Sequence, residues 1–324
     1  MDAIPDLDDC RRAQRTLAER VHRTPVFSSR TLGEIAGGEV WLKAELFQRT
    51  GSFKVRGAIN RVAAMGAAER AAGVVSASAG NHAQAAAYAC AQAGIDVLVF
   101  MPSGASAAKV AATRAYGASV DLESRDGAQA LARMAELARE SGRTILHPFD
   151  DPHVIAGQGT VGLEIAEQVA APAAVLVPAS GGGLVSGVAV AIRALHPDCR
   201  VIAVAPAASA TLAAGRGPAR PAAPGRPRGA TIADALTAPA VGALCARVCE
   251  RHVDEVVHVT EDELAAAVRL LYSRAKLACE AGAAAGVAAL LAGAVSAAQG
   301  PAVAVVSGGN ITPAAAAAIL AGEA

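Results

Sequence analysis

The chain has 324 residues, 53% of them hydrophobic and 18% charged, with 29 Lys+Arg balanced by 29 Asp+Glu. This composition excludes a disordered protein, and the zero net charge excludes the basic footprint of a nucleic-acid or anionic-membrane binder. The start, Met1-Asp2-Ala3-Ile4-Pro5-Asp6, lacks the positive and apolar regions of a signal peptide, and Ala/Gly-rich runs such as 281–292 are too short to span a bilayer.

A cytoplasmic protein is therefore expected. Its six cysteines form no C-x-x-C pair and read as reduced. Cys245 and Cys249 share a helix face, but no complete zinc set is read there.

In chain order, short apolar runs predict strands at 40–44, 74–77, 97–101, 119–122, 174–178, 201–205, 256–259 and 303–306. Ala-rich stretches predict helices at 53–65, 81–93, 105–115, 128–141, 184–195 and 261–277, and a last one near the C-terminus. Several strands are continuously apolar, as parallel strands buried on both faces must be. The alternation predicts an α/β fold of open, mostly parallel twisted sheets with flanking helices, long enough for two such sheets. Ligands of such sheets bind beyond the carboxyl ends of the strands. The Pro/Arg/Gly-rich stretch 215–229 reads as an irregular surface loop.

Four strand-to-helix loops carry the unusual residues. The first, 48–54, ends in Lys54, one of four lysines in a chain whose other 25 basic residues are arginine. A neutral Lys amine forms Schiff bases, whereas a guanidinium stays protonated and is a poor nucleophile. The second is Ser78-Ala79-Gly80-Asn81-His82, small residues and a polar pair whose backbone N–H groups suit a carboxylate. The third is Ser180-Gly181-Gly182-Gly183-Leu184, whose glycines let the backbone wrap an anion, with phosphate the usual guest. It matches neither G-x-G-x-x-G nor the P-loop. The fourth, Ser307-Gly308-Gly309-Asn310, places a hydroxyl where a strand ends. His147, Asp150, Asp151 and His153 form the remaining group of metal-ligand types, in what reads as a loop. No metal site is expected there.

One Lys, a phosphate cradle, a carboxylate cradle and a neutral hydrogen-bonder together suit pyridoxal phosphate. From about Arg23 to Asn310 the chain resembles the fold-type II pyridoxal-phosphate enzymes of the threonine/serine dehydratase group, whose fold is of the tryptophan synthase β type. Matching stretches are 48–58, 76–84, 147–164, 181–187, 231–234 and 307–310. The resemblance implies Lys54 as the Schiff-base lysine, with Phe53 beside the cofactor ring. It puts the phosphate on Ser180 to Leu184, Asn81 at the ring oxygen, and Ser307 at the ring nitrogen. Ser78, Ala79, Gly80, Asn81 and His82 fall on the substrate-carboxylate loop, and Glu280 on an acidic position close to the pocket. A large cofactor-binding domain of residues 1–70 and 151–324 with a small domain of 71–150 is expected, the cofactor between them. A homodimer or homotetramer is expected too.

Departures refine the expectation. Ser180 stands where the family's phosphate loop usually has its first glycine. Cation-binding relatives carry acids where this chain has Ala205 and, nearby, Thr211, so no divalent site is expected. Racemising relatives have a second serine where this chain has Ala79, which cannot exchange a proton. Ala235 replaces a common glycine. No room remains for a C-terminal regulatory domain, so isoleucine feedback is not expected. The implied reaction is dehydration and deamination of L-threonine or L-serine to a 2-oxo acid and ammonia. The alternatives are elimination or replacement on 3-hydroxyaspartate or a pathway-specific amino acid, a serine racemase-like activity, and a non-catalytic pyridoxal-phosphate or amino-acid binder.

Overall fold

The structure is a computed structural model and describes residues 3–209, 212, 219–220 and 231–323. Thr211 and all of 215–229 except 219–220 lie outside the described residues. In chain order the strands are β1 (Val26–Ser28), β2 (Val40–Ala44), β3 (Val74–Ala77), β4 (Val97–Pro102), β5 (Ser119–Ser124), β6 (Thr144–Ile145), β7 (Ala174–Pro178), β8 (Arg200–Pro206), β9 (Ala219–Arg220), β10 (Glu255–Val259) and β11 (Ala302–Val306). The helices are α1 (Leu7–Leu17), α2 (Arg30–Ala36), α3 (Lys54–Ala63), α4 (Ala67–Ala72), α5 (Asn81–Gln92), α6 (Ala107–Ala115), α7 (Gly127–Ser141), α8 (Pro152–Gln168), α9 (Gly183–Leu195), α10 (Ala243–His252), α11 (Glu261–Leu270), α12 (Ala285–Leu291) and α13 (Pro313–Ala321).

These strands make two sheets. Strands β3 to β6 form an all-parallel sheet in the order β5-β4-β3-β6. The others form a seven-stranded sheet, β1-β2-β11-β7-β8-β10-β9, in which the β1–β2 pair alone is antiparallel. Its central strands β7 and β11 are buried along their whole length. Their side chains alternate between two cores, as the two-residue period of a strand requires. Ala302, Ala304 and Val306 face one core with Leu264, Val287 and Leu290, while Val303 and Val305 face the other with Ile165, Val188 and Ile192.

Eight strands and most helices fall where the apolar pattern puts them, and two readings change. The run after Asp151 is the helix α8, 17 residues long, so His153 lies in a helix rather than a loop. Its glycines obscure it in the sequence but serve packing. A Cβ on Gly157 would lie 2.7 Å from the Cα of Gly57, so α3 and α8 touch backbone to backbone. The helix expected over 261–277 stops at Leu270, passes through a π turn (Leu271–Ala275), and reverses at Lys276, where φ is +60°.

The close approach of α3 and α8 permits a buried, net-neutral charge cluster beneath Lys54. Arg56 donates to both oxygens of Glu45 at 2.8 Å, and to Glu164 at 2.6 and 3.0 Å. Lys43 on β2 donates to Glu164 at 2.5 Å and to the Thr24 carbonyl at 2.8 Å. Each charge has several partners, which offsets the desolvation penalty of several kcal/mol per buried ion. Lys43 is thereby committed to structure.

Candidate active site

A cavity of about 410 Å³ opens at the carboxyl ends of β3, β4, β7 and β11, between the two sheets. Phe53, Lys54, Ser78, Ala79, Gly80, Asn81, His82, Ser180, Gly181, Gly182, Gly183, Leu184, Glu280 and Ser307 all line it. The structure therefore brings together every site residue singled out in the sequence. Ser52 bridges to Gly308, and the Phe53 N–H donates to the Ser307 carbonyl at 3.1 Å, so the first and fourth loops are zipped to each other.

Lys54 opens α3, and its Nζ donates to the carbonyl of Pro148 at 2.7 Å. Burial lowers its pKa to about 8, against smaller opposing effects of Cys245 and Glu280. An amine so placed is neutral far more often than a solvated lysine's, as a base must be. Lys109 also lines the cavity, but its Nζ is paired with Asp234 at 2.6 Å.

The helices α3, α5 and α9 all begin at this cavity, and none has a side-chain cap at its N-terminus. The start of α6, whose N-cap Ser106 also lines the cavity, is uncapped as well, as are α4 and α12. Asp6, Ser29, Asp126, Asp151, Thr260 and Thr312 each cap a helix. The first N–H groups of a helix have no partner within it and carry the positive end of its dipole, so an uncapped start that opens on a cavity is suited to an anion. At α9 the cradle is also sterically specific. Gly182 has φ +97°, and a Cβ on Gly181 would lie 2.5 Å from the Phe149 ring. The Ser180 hydroxyl accepts from the Ala238 N–H at 2.9 Å.

The His82 ring nitrogen Nε2 lies 3.1 Å from the Leu146 carbonyl, and burial pushes its pKa down to about 3. A neutral ring brings no positive charge to the cavity. Asn81 Nδ2 donates to Glu280 Oε1 at 2.5 Å, and Asn310 Nδ2 donates to Asn81 Oδ1 at 2.8 Å. Burial raises the pKa of Glu280 to about 7.

The run 147–153 is architectural. Pro148 supplies the acceptor for Lys54, and Phe149 backs the glycine cradle. Asp150 accepts from the N–H groups of Ala243, Leu244 and Cys245 at the start of α10, while Asp151 caps α8. Among the described residues no group of three His, Cys, Asp or Glu is arranged to hold a metal. Sequence reasoning missed Pro148, Phe149 and Lys109 as site residues and gave Asn310, within the fourth loop, no role. Their signal is tertiary, since each acts through a partner tens to hundreds of residues away.

The family model for pyridoxal-phosphate dependent enzymes matches residues 17–308. The chain belongs to that family. It is 44% identical to an L-threonine ammonia-lyase of Thermotoga maritima over 88% of this chain and 71% of that protein. It is 41% identical to the catabolic L-threonine dehydratase TdcB of Escherichia coli K12 over 94% of this chain and 93% of that protein. Among solved structures, maize serine racemase superposes with a TM-score of 0.86 at 35% identity, covering 96% and 95% of the two chains. The fold is thus the fold-type II architecture, and the residues fit the family's cofactor. An uncapped, glycine-only helix start suits its phosphate, and a desolvated amine suits its aldehyde.

Proposed function

We propose that the protein is a pyridoxal-phosphate dependent ammonia-lyase that converts L-threonine or L-serine to a 2-oxo acid and ammonia. The observation that carries this reading is Lys54, an amine with a pKa lowered to about 8, sharing one cavity with the uncapped, glycine-rich start of α9 and the uncapped start of α5. The two threonine-deaminating relatives support it.

When bound, the cofactor supplies an aldehyde that captures amines and a ring that accepts the electrons released at Cα. Ser180 to Leu184 and the start of α9 would hold its phosphate, Asn81 its ring oxygen and Ser307 its ring nitrogen. Ser307 would meet that nitrogen with a neutral hydroxyl, which unlike a carboxylate has no negative charge to hold a proton there. Ser78 to His82 orient the substrate carboxylate with backbone N–H groups. Lys54, as the neutral amine, takes the Cα proton, and the β-hydroxyl leaves as water on receiving a proton from Lys54 or from the cofactor phosphate. Hydrolysis of the released enamine gives the 2-oxo acid and ammonia. Ala79 has no proton to return to the opposite face, which disfavours racemisation. Retention of a desolvated lysine disfavours a purely binding role.

The reading takes 71–150 as a small domain over the rest of the chain, and the working particle as a cytoplasmic homodimer or homotetramer. No described helix is long and apolar enough to cross a membrane. Keto acid and ammonia release from a panel of β-substituted amino acids tests the reaction. Turnover confined to 3-hydroxyaspartate, or D-serine as the product of L-serine, would replace it. Borohydride reduction of the loaded enzyme with peptide mapping should put the pyridoxyl group on Lys54. A label on Lys43, Lys109 or Lys276 sinks the assignment.

A further inference from the structure

A directional chain of hydrogen bonds runs along one wall of the cavity and ends in a buried acid. Its anchor is the carbonyl of Thr50, held in the left-handed region at φ +60°. A carbonyl only accepts, so Asn310 turns its Nδ2 toward Thr50 at 2.8 Å, and the same nitrogen donates to Asn81 Oδ1 at 2.8 Å. With its oxygen so engaged, Asn81 must present nitrogen on the other side, where Nδ2 donates to Glu280 Oε1 at 2.5 Å. The second hydrogen of that amide remains for a guest in the cavity. The other carboxyl oxygen, Glu280 Oε2, is buried with no hydrogen-bond partner, in a residue only 3% exposed.

A carboxylate oxygen buried without a donor is costly, and a proton of its own relieves the cost. The charges facing it do not supply another remedy. Lys109 on α6 is spent on Asp234, Lys54 is itself pushed toward neutrality, and the neighbouring Cys279 thiol is held protonated by burial. The cavity is moreover built for anions, which a bare carboxylate behind Asn81 would repel.

We propose that Glu280 is a proton-holding positioning residue, which carries a hydrogen on Oε2 while Oε1 fixes the Asn81 amide with its free N–H toward the cavity. Its ionisation as pH rises puts a negative charge at the wall and weakens the hold on anionic groups. The raised pKa of about 7 agrees with this: burial is the largest cause, with Asp234 adding to it and Lys109, Asn81 and Lys54 opposing it. The inference rests on the lyase reading for its consequence, but its first test is independent of turnover.

Difference infrared spectroscopy on the substrate-free protein, with and without cofactor, should show a protonated buried carboxyl. Its carbonyl band should disappear as pH rises through about 7. Glu280→Gln should lack the band at every pH. Asp234→Asn, at a position 62% exposed, should fold normally and move the midpoint downward, because Asp234 raises it. In the loaded enzyme the KM for the amino acid should climb on the alkaline side, and Glu280→Gln should flatten that limb. A wild-type protein with no such band on the acid side of neutrality overturns the proposal. So does a band that survives in Glu280→Gln, or a midpoint unmoved in Asp234→Asn. If the band behaves as expected but no amino acid is turned over, the lyase reading fails and Glu280 keeps its proton.

Discussion

Lys54 and Pro148 are 94 residues apart in sequence, yet the Lys54 amine donates to the Pro148 carbonyl at 2.7 Å in the floor of the cavity. The contact holds the nucleophile in an environment where burial lowers its pKa to about 8, against an ordinary 10.5. In cofactor-free protein, acylation by an amine-selective reagent should therefore label Lys54 with a half-maximal rate near pH 8. Raising pH increases the neutral, reactive fraction, and the curve should level off above that value. Mass-spectrometric mapping of the label across pH checks this. A midpoint near that of an ordinary lysine means the amine is solvated.

Gly181→Ala should loosen the cofactor without unfolding the chain. The new Cβ would lie 2.5 Å from carbons of the Phe149 ring, on a side where the cradle cannot retreat. Overpacking of this kind costs about 1–3 kcal/mol, so the dissociation constant for pyridoxal phosphate should rise by about five- to 150-fold. Absorbance titration of the apoprotein reads it directly. Unchanged affinity would show that the phosphate is held elsewhere.

Arg56→Met is expected to cost stability out of proportion to its distance from chemistry. It strips Glu45 of both guanidinium bonds and leaves Glu164 with Lys43 alone, in a region without solvent. Breaking one member of a buried ion cluster costs about 3–5 kcal/mol. Urea denaturation should show a lower midpoint with an unchanged slope. A loss under about 1 kcal/mol would mean that the cluster relaxes or admits water.

Chelation is expected to leave activity and melting temperature unchanged. Ala205, at the end of β8, is buried and paired in register with His258, and offers no oxygen ligand from its side chain. Hard divalent cations require oxygen-rich, anionic sites. Thermal scans and initial rates with and without EDTA decide it, and a large fall in either would point to ligands outside the described residues.

The sequence by itself determined the periodicities and the short-range chemistry. Strands such as β7 and β11 are legible because burial on both faces demands an unbroken apolar run. The loops ending in Lys54, Asn81 and Gly183 are legible because a strand that stops and a helix that starts leave a local signature of small and polar residues. Helix α8 is hidden by glycines that only make sense once α3 lies against it. The pKa of Lys54, the neutrality of the His82 ring, the committed state of Lys43 and Lys109, and the lone oxygen of Glu280 were decided by tertiary structure alone. Each depends on desolvation and on a partner far away in the chain. Local sequence specifies which groups are present, whereas their protonation follows from what folding packs around them.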